Sequence, residues 1–582
     1  MEKSDWLHLI GIAKEYGLNS LRFHSWCPPK AAFEAADGLG IILQIELPYG
    51  FGPGQKSDYP LLELRTILDA YGNHPSFCML SLGNERFTHN DDTKKSIADA
   101  KQYDPRHLYT CTSHPLAMNC VDDFFEAADG GTNDKLIVGI EWGGGDVVSS
   151  SRFNTKSPET KSDYRNVIKD FDVPIVSHEA GQWAMFPNLN EISKYTGVLQ
   201  NTNYERIKQA LDDKGLLDYA GDFAMASGKF AAILYKEEIE SALRTPNFGG
   251  ICLLGLTDFQ GQNLAVVGIL DAFWESKGIV TPKQHRMYFS STVPLARMVK
   301  RVWKQNEVFT ASAEIAHFGE KDLFKTHSNW TISSEDGKVL FNGQFKTLNI
   351  PIGGLTSLGD ISVLFNKIKA PQKLILSIEI PSTEIKNTWD IWVYPSEVNL
   401  SIGKVKVVNT WDNNVKKALE SGENVLLIPK LESLKDGYRA SCFTTVFWNS
   451  IFKKYQKAHT LGILCDPSNP VFSSFPTDSF SNWQWWDVTM NANAMYLNNM
   501  PKQLKPLIHV IDSYHINDRL TYVWECKVGK GKLLVSTIDF TTEIEKRTVS
   551  KQLEKSILDY MNSEQFNPKT ELHFTDIDNL FY

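Results

Sequence analysis

None of the eight cysteines (Cys27, Cys78, Cys111, Cys120, Cys252, Cys442, Cys465 and Cys526) stands in a CxxC pair. That excludes the familiar zinc and dithiol redox motifs. Most of them sit in apolar runs and read as buried free thiols. No apolar run reaches the roughly 18 residues that a membrane-spanning helix needs. The opening MEKSDWLHLIGIAKEYG lacks the form of a signal peptide. A dense Lys/Arg stripe is also missing, and the net charge is −9, so nothing argues for nucleic acid as a partner. No GxGxxG follows any strand-like run, and the GGGD at Gly143–Asp146 lacks the strand-to-helix context of a nucleotide loop. Neither an internal repeat nor a low-complexity linker interrupts the chain.

What is present is an ordinary globular balance, 42% apolar and 22% charged over 582 residues. That length predicts two to four domains. The 15 Trp and 20 Tyr suit either sugar-binding surfaces or large β-rich cores. The N-terminal stretch reads as an amphipathic helix stopped at Gly17. Short apolar runs then alternate with helical patterns: SLRFH (20–24), IILQIEL (41–47), CMLSLGNE (78–85), LYTCTS (108–113), LIVGIEW (136–142), VPIVSHE (173–179) and GGICLLGL (249–256). Such alternation predicts a parallel sheet covered by helices. Several runs end in His24, Glu46, Glu85, Trp142 or Glu179, the habit of a (β/α)8 barrel with its site at the C-terminal strand ends. Seven strands are counted where a barrel has eight, and 180–248 reads as a helical insertion between the last two.

Beyond Pro294 the pattern changes. Residues 301–395 carry the runs and turn residues of an antiparallel β-sandwich, among them VFTASAEIAH and TWDIWVYP. Residues 396–582 return to strand–helix alternation and predict a smaller α/β domain of flavodoxin-like style. The fold class is therefore α/β: a TIM barrel over 1–300 with one strand missing, a β-sandwich, and a C-terminal α/β domain. The aromatic cluster SNWQWWDVTM (481–490) reads as domain packing in preference to a sugar-binding strip.

The chemistry-bearing residues gather at the strand ends of the first domain. Glu85 closes CMLSLGNE and Glu179 closes VPIVSHE. Two carboxyl groups, one protonated and one ionised, are what a retaining glycosidase requires. For each the alternative is a solvated strand-end carboxylate. Trp26, Trp142 and Trp183 are candidates for stacking on a sugar face, or core residues. Asp258, in LTDFQGQ, is a candidate for substrate contact or a loop cap. Glu46 is a candidate partner for Arg22. Glu141 has no assigned part.

The segments GLNSLRFHSWCPPKAAFEAADGLGIILQIELP, YGNHPSFCMLSLGNE and VPIVSHEAGQW, in that order, resemble glycoside hydrolase family 2, the β-galactosidases, β-glucuronidases and β-mannosidases. RFHSWCPP, HEAGQW and ALRTPNFGGICLLGLTDFQGQ resemble large multidomain members from gut bacteria. The resemblance covers residues 1 to about 300. It implies that Glu85 is the acid/base, that Glu179 is the nucleophile, and that Asn84 hydrogen-bonds the sugar 2-hydroxyl. It implies that Arg22 and His24 shape the floor of the site, where a core His and a structural Arg–carboxylate pair are the alternative. Arg152, Asn154 and Tyr164 fall in a segment resembling a substrate-facing one. The implied activity is a retaining, β-galactosidase-like exo-glycosidase with a carbohydrate substrate and with no cofactor or metal; galactose, glucuronic acid and arabinopyranose stay open. Relatives of this size usually carry an export signal. The pattern also places the missing strand first, ahead of the opening helix, and implies an N-terminally truncated chain. The second reading is thus a truncated, inactive glycan-binding remnant.

Overall fold

The computed structural model describes residues 1–48, 59–85, 91–113, 122–127, 130–132, 135–137, 151–198, 200–449 and 459–582. The opening helix, α1 (Lys3–Glu15), buries Trp6, Ile10 and Ala13 on one face. It stops where Gly17 takes φ 91° against the carbonyl of Phe289; a side chain there would collide with that oxygen.

Strands β1 (Ser20–Phe23), β2 (Ile42–Glu46), β3 (Phe77–Ser81) and β4 (Leu108–Thr110) form one parallel sheet in chain order. Helices α2 (Lys30–Leu39), α3 (Tyr59–Tyr71) and α4 (Asp91–Tyr103) lie between them in the chain. A second parallel sheet runs β5 (Phe125–Ala127), β6 (Ile175–Ala180), β7 (Phe248–Leu253). Parallel bridges Asn84–Ser113 and Ser113–Glu126 join the two sheets just beyond the ends of β3 and β4. Among the described residues β7 does not pair with β1, so the seven strands do not close. They curl nonetheless: the Arg22 guanidinium on β1 touches Glu46 on β2, Asn84 after β3, Glu126 on β5 and Glu179 on β6. One side chain reaches that many strands only when they wrap around it.

One strand differs from the sequence reading. The place beside β6 is taken by Phe125–Ala127, which the sequence reading did not count as a strand. Residues Lys135–Ile137 pair antiparallel with Gly130–Thr132, and 138–142 lie outside the described residues. Between β6 and β7 come α5 (Thr202–Lys214) and the long α6 (Ala220–Leu243).

The next region is a two-sheet sandwich. Thr292–Arg297, Val308–His317 and Gly354–Leu364 form one sheet; Val302–Lys304, Lys386–Tyr394, Gln372–Glu379, Asn329–Ser334 and Val339–Gln344 form the other. Inward residues of both, including Phe309, Ile332, Leu374 and Trp389, share one core. Buried charges on α6 dock it: Glu237 pairs with Arg301 at 3.0 Å, and Glu240 accepts from Trp389 Nε1 at 2.8 Å.

The C-terminal sheet is mixed, a correction to the flavodoxin-like expectation. Among the described residues only Lys406–Val408, Asn424–Leu427 and Gly531–Ser536 run parallel; Leu520–Val528, Asn493–Tyr496, Tyr438–Ala440, Ile508–Asp512 and Thr460–Cys465 join antiparallel. Leu520–Val528 and Gly531–Ser536 meet through a two-residue turn, a connection that enforces antiparallel pairing. This region shares a hydrophobic core with the first: Phe153, Trp183 and Phe230 lie in one cluster with Phe443, Trp448 and Trp483. Within SNWQWWDVTM, Trp485 is fully buried and Trp486 donates to the carbonyl of Phe153 at 2.7 Å.

Candidate active site

In a strand, alternate residues face alternate sides. In β2, Leu43 and Ile45 pack into the core while Gln44 and Glu46 point the other way, yet both are buried. A polar side chain buried this deeply requires partners. Glu46 Oε1 accepts from Arg22 Nε at 2.6 Å, and its Oε2 accepts from the amide of Ser25 at 2.8 Å. Gln44 donates to Glu126 Oε2 at 2.6 Å, and the Ser113 hydroxyl lies between Glu126 (2.9 Å) and Glu46. Arg22 completes the floor, its Nη2 donating to Asn84 Oδ1 at 2.6 Å and its Nη1 to Glu179 Oε1 at 3.0 Å.

Glu85 and Glu179 meet over this floor. One carboxylate oxygen of each, together with a ring nitrogen of His178, lie within 4.8 Å of one another. Both glutamates occupy the left-handed backbone region, at φ 47° and 46°. Non-glycine residues held there carry about 1–3 kcal/mol of strain, and such strain clusters at functional sites. The Glu85 amide donates to the carbonyl of Ser113 at 2.8 Å, which fixes the turn. His24, 57% exposed, brings Nε2 to 3.9 Å from Glu179 Oε1.

His178 is buried, with Nδ1 3.2 Å from Glu126 Oε1 and Nε2 3.5 Å from Glu179 Oε1 and 3.9 Å from Glu85 Oε1. Burial pulls its pKa down, but Glu179, Glu126 and Glu85 outweigh that and push it up to about 9. Burial would raise Glu179; His178 and Arg22 overcome it and hold the carboxyl below its ordinary value. Glu126 is likewise raised by burial and lowered further by Arg22 and His178, ending well below the usual carboxylate range. The set thus carries its own compensating cations, which suits acid–base and nucleophilic chemistry better than holding a metal ion.

The remaining candidates divide. Trp26 follows β1 and stands 48% exposed, with Phe23 and Trp6 at ring distances of 5.5 and 6.3 Å. Trp142 and Glu141 lie outside the described residues. Trp183 is 1% exposed and packs between Phe153 and Tyr235, out of reach of a sugar. Asp258 is spent on Lys277, both oxygens at 2.9 Å, and on the amide of Gly268. Arg152 and Tyr164 hold Glu238 of α6, and Asn154 binds the amides of Phe443 and Thr444; their contacts are structural. Glu126 and His178 were absent from the sequence-derived candidates. So was Gln182, which donates to the carbonyl of Glu179 at 3.2 Å and accepts from Trp448 Nε1 at 3.0 Å.

Two family models match, each described as a domain of unknown function: DUF8488 over residues 307–395 and DUF8487 over 406–582. No curated protein matches the chain. Among solved structures, similarity extends to an FMN-binding beta-glucuronidase from Facaelibacterium prausnitzii L2-6 (14% identity, 68% of this chain and 54% of that one, TM-score 0.33). It extends also to the exo-chitosanase CsxA of Amycolatopsis orientalis (13%, 69% and 47%, TM-score 0.42) and to a Parabacteroides merdae beta-glucuronidase (11%, 70% and 47%, TM-score 0.33). The chain spans about half the length of each. Among the described residues no helix is long and apolar enough to cross a membrane.

Proposed function

We propose that this chain carries the catalytic centre of a retaining exo-glycosidase of the family 2 type, β-galactosidase-like, acting on O-glycosidic bonds of a carbohydrate substrate. In this reading residues 1–300 are a (β/α)8-type catalytic domain represented by seven strands, 301–395 a β-sandwich and 396–582 a mixed α/β domain. The observation that carries it is the approach of Glu85 and Glu179 to within 4.8 Å, oxygen to oxygen. Retaining enzymes hold their carboxyl groups about 5–5.5 Å apart, whereas inverting ones keep about 6.5–9.5 Å to admit a water.

Glu179, held ionised by Arg22 and His178, attacks the anomeric carbon as Glu85 gives its proton to the departing glycosidic oxygen. Glu85, now a carboxylate, takes a proton from water, and that water cleaves the glycosyl ester of Glu179. Asn84, fixed by Arg22, presents its amide N–H to the sugar 2-hydroxyl. Trp26, half-exposed just after β1, is the aromatic candidate for stacking on the sugar.

The test is hydrolysis of an aryl-glycoside panel (β-galactoside, β-glucuronide, α-arabinopyranoside) by the full chain, with the first-formed anomer read by NMR. Retention is expected. Glu179→Gln abolishes turnover, and Glu85→Ala slows the first step far less for substrates with good leaving groups than for poor ones. Full activity in Glu179→Gln, or an inverted first product, overturns the reading.

A further inference from the structure

Chemistry of the kind just described moves a negative charge from one carboxylate to the other and back. In the free enzyme Glu179 is the anion. In the glycosyl-enzyme Glu179 is a neutral ester, and Glu85 has lost its proton to the leaving group. Each state needs a hydrogen-bond donor at a different carboxylate.

We propose that His178, anchored by Glu126, is a positioning residue whose single Nε2–H serves both carboxylates in turn, pairing with Glu179 in the free enzyme and with Glu85 in the glycosyl-enzyme. The inference rests on the retaining reading above. Its basis is geometric. Nε2 stands 3.5 Å from Glu179 Oε1 and 3.9 Å from Glu85 Oε1, so a small tilt of the ring exchanges one partner for the other. The opposite nitrogen, Nδ1, is tethered at 3.2 Å to Glu126, which is itself fully buried and gripped by Gln44 and Ser113. The tether sets the ring's pivot and leaves Nε2 the moving end. A neutral imidazole has one N–H, which Glu126 would claim; only the imidazolium donates at both nitrogens.

The charged and titratable groups facing this imidazole come from every side. Glu179 shares its strand, Glu85 follows β3, Glu126 lies on β5 and Arg22 approaches from β1 with Glu46 of β2 behind it. Cys252 of β7 borders Glu126 and Arg22, and His24 faces Glu179 from the open side. In either state two anions, Glu126 and whichever of Glu179 and Glu85 is ionised, bear directly on the ring against one guanidinium, and this balance keeps it protonated. The proton on Nε2 is not transferred in either step. Glu85 and water exchange the catalytic proton, and His178 only follows the charge.

His178→Gln tests this in the full chain, since Gln keeps a donor but loses the charge and the tethered pivot. With dinitrophenyl glycosides, whose first step is fast, kcat is expected to fall by at least about tenfold. KM falls with it as glycosyl-enzyme accumulates. The acidic limb of the kcat/KM profile is expected to move to higher pH, because removing a cation that holds Glu179 ionised raises its pKa. Glu126→Gln, which preserves volume, removes an anion and is expected to move the acidic limb to lower pH, with a smaller fall in kcat because the imidazole loses its charged anchor. It carries the test alone where His178→Gln fails to fold by circular dichroism. An unmoved acidic limb and unchanged kcat in either folded variant, with Glu179→Gln inactive, overturn the role of His178. An active Glu179→Gln overturns the glycosidase reading instead.

Discussion

At the scale of single residues the site is a charge ledger written in burial. Glu126 and Glu179 are held below their ordinary values, against the pull of burial, by Arg22 and His178. The stability they contribute is present above about pH 4.5, the ordinary glutamate value, and is lost as pH falls toward their folded pKa values. His178 is shifted the other way, to about 9 from 6.5. Its contribution is complete below pH 6.5 and is lost as pH rises through 9. Scanning calorimetry from pH 5 to 10 on wild type and His178→Gln should therefore show a Tm difference that is widest below about pH 6.5 and narrows toward pH 9 and above. A difference that grows as pH rises through 6.5 would mean that the imidazole is not charged in the folded protein. The same residue shows where reading the sequence stopped short. His178 stands inside the VPIVSHE segment that pointed to Glu179, but period-two alternation sends neighbours to opposite faces. The left-handed backbone at Glu179 breaks that alternation, so both side chains reach one site. Asn84, Glu85, Arg22 and Glu179 were legible because each ends an apolar strand. Trp183 and Asp258 looked equally eligible, and only packing shows them committed elsewhere.

At the scale of elements, β6 and the turn that follows it do the positioning. Gly181 takes φ 85°, and a Cβ there would lie 1.8 Å from Cε1 of Tyr235. The Tyr235 hydroxyl sits against the carbonyls of Gly181 and Val267, tying the turn to α6. Gly181→Ala must either leave the left-handed region or push the ring away. The backbone term is about 1–2 kcal/mol and the overpacking term about 1–3 kcal/mol. A lower denaturant midpoint is expected, with kcat falling as Glu179 is displaced; an unchanged midpoint would show that the turn yields freely. The elements were unevenly readable for a related reason. Strands β1 to β4, β6 and β7 announce themselves by apolar runs. β5 is three residues, Phe125–Ala127, within the polar stretch DDFFEAAD. Its identity comes from its neighbours: Ser113 on one side and β6 on the other. Glu126 went unseen with it, although the buried Gln44–x–Glu46 pattern in β2 was a local sign of a polar interior.

At the scale of the whole molecule the C-terminal region is part of the site's framework. Phe447 bridges Trp183, the side chain of Asn154 binds the backbone of 443–444, and the Tyr514 hydroxyl donates to the carbonyl of Leu264. The closest link to the chemistry is a relay of two hydrogen bonds. Trp448 Nε1 donates to Gln182 Oε1 at 3.0 Å, and Gln182 Nε2 donates to the carbonyl of Glu179 at 3.2 Å. Both side chains are buried, so water does not readily replace either bond. The sequence offered no hint of this relay: Gln182 stands in HEAGQW, but its partner lies 266 residues away and in no motif. Trp448→Phe keeps most of the packing and removes only the donor. It leaves Gln182 Oε1 buried without its donor, which destabilises by about 1–3 kcal/mol, and it frees the amide to turn away from Glu179. The expected outcome is a fall in kcat of about tenfold, the equivalent of roughly 1.4 kcal/mol in the barrier, with KM held because Trp448 is buried behind Gln182. Gln182→Met should reproduce the loss, and the double variant should add little to either single change, since both cut one relay. Fully additive losses would show that Trp448 and Gln182 act separately and that the C-terminal region supports the site through packing alone.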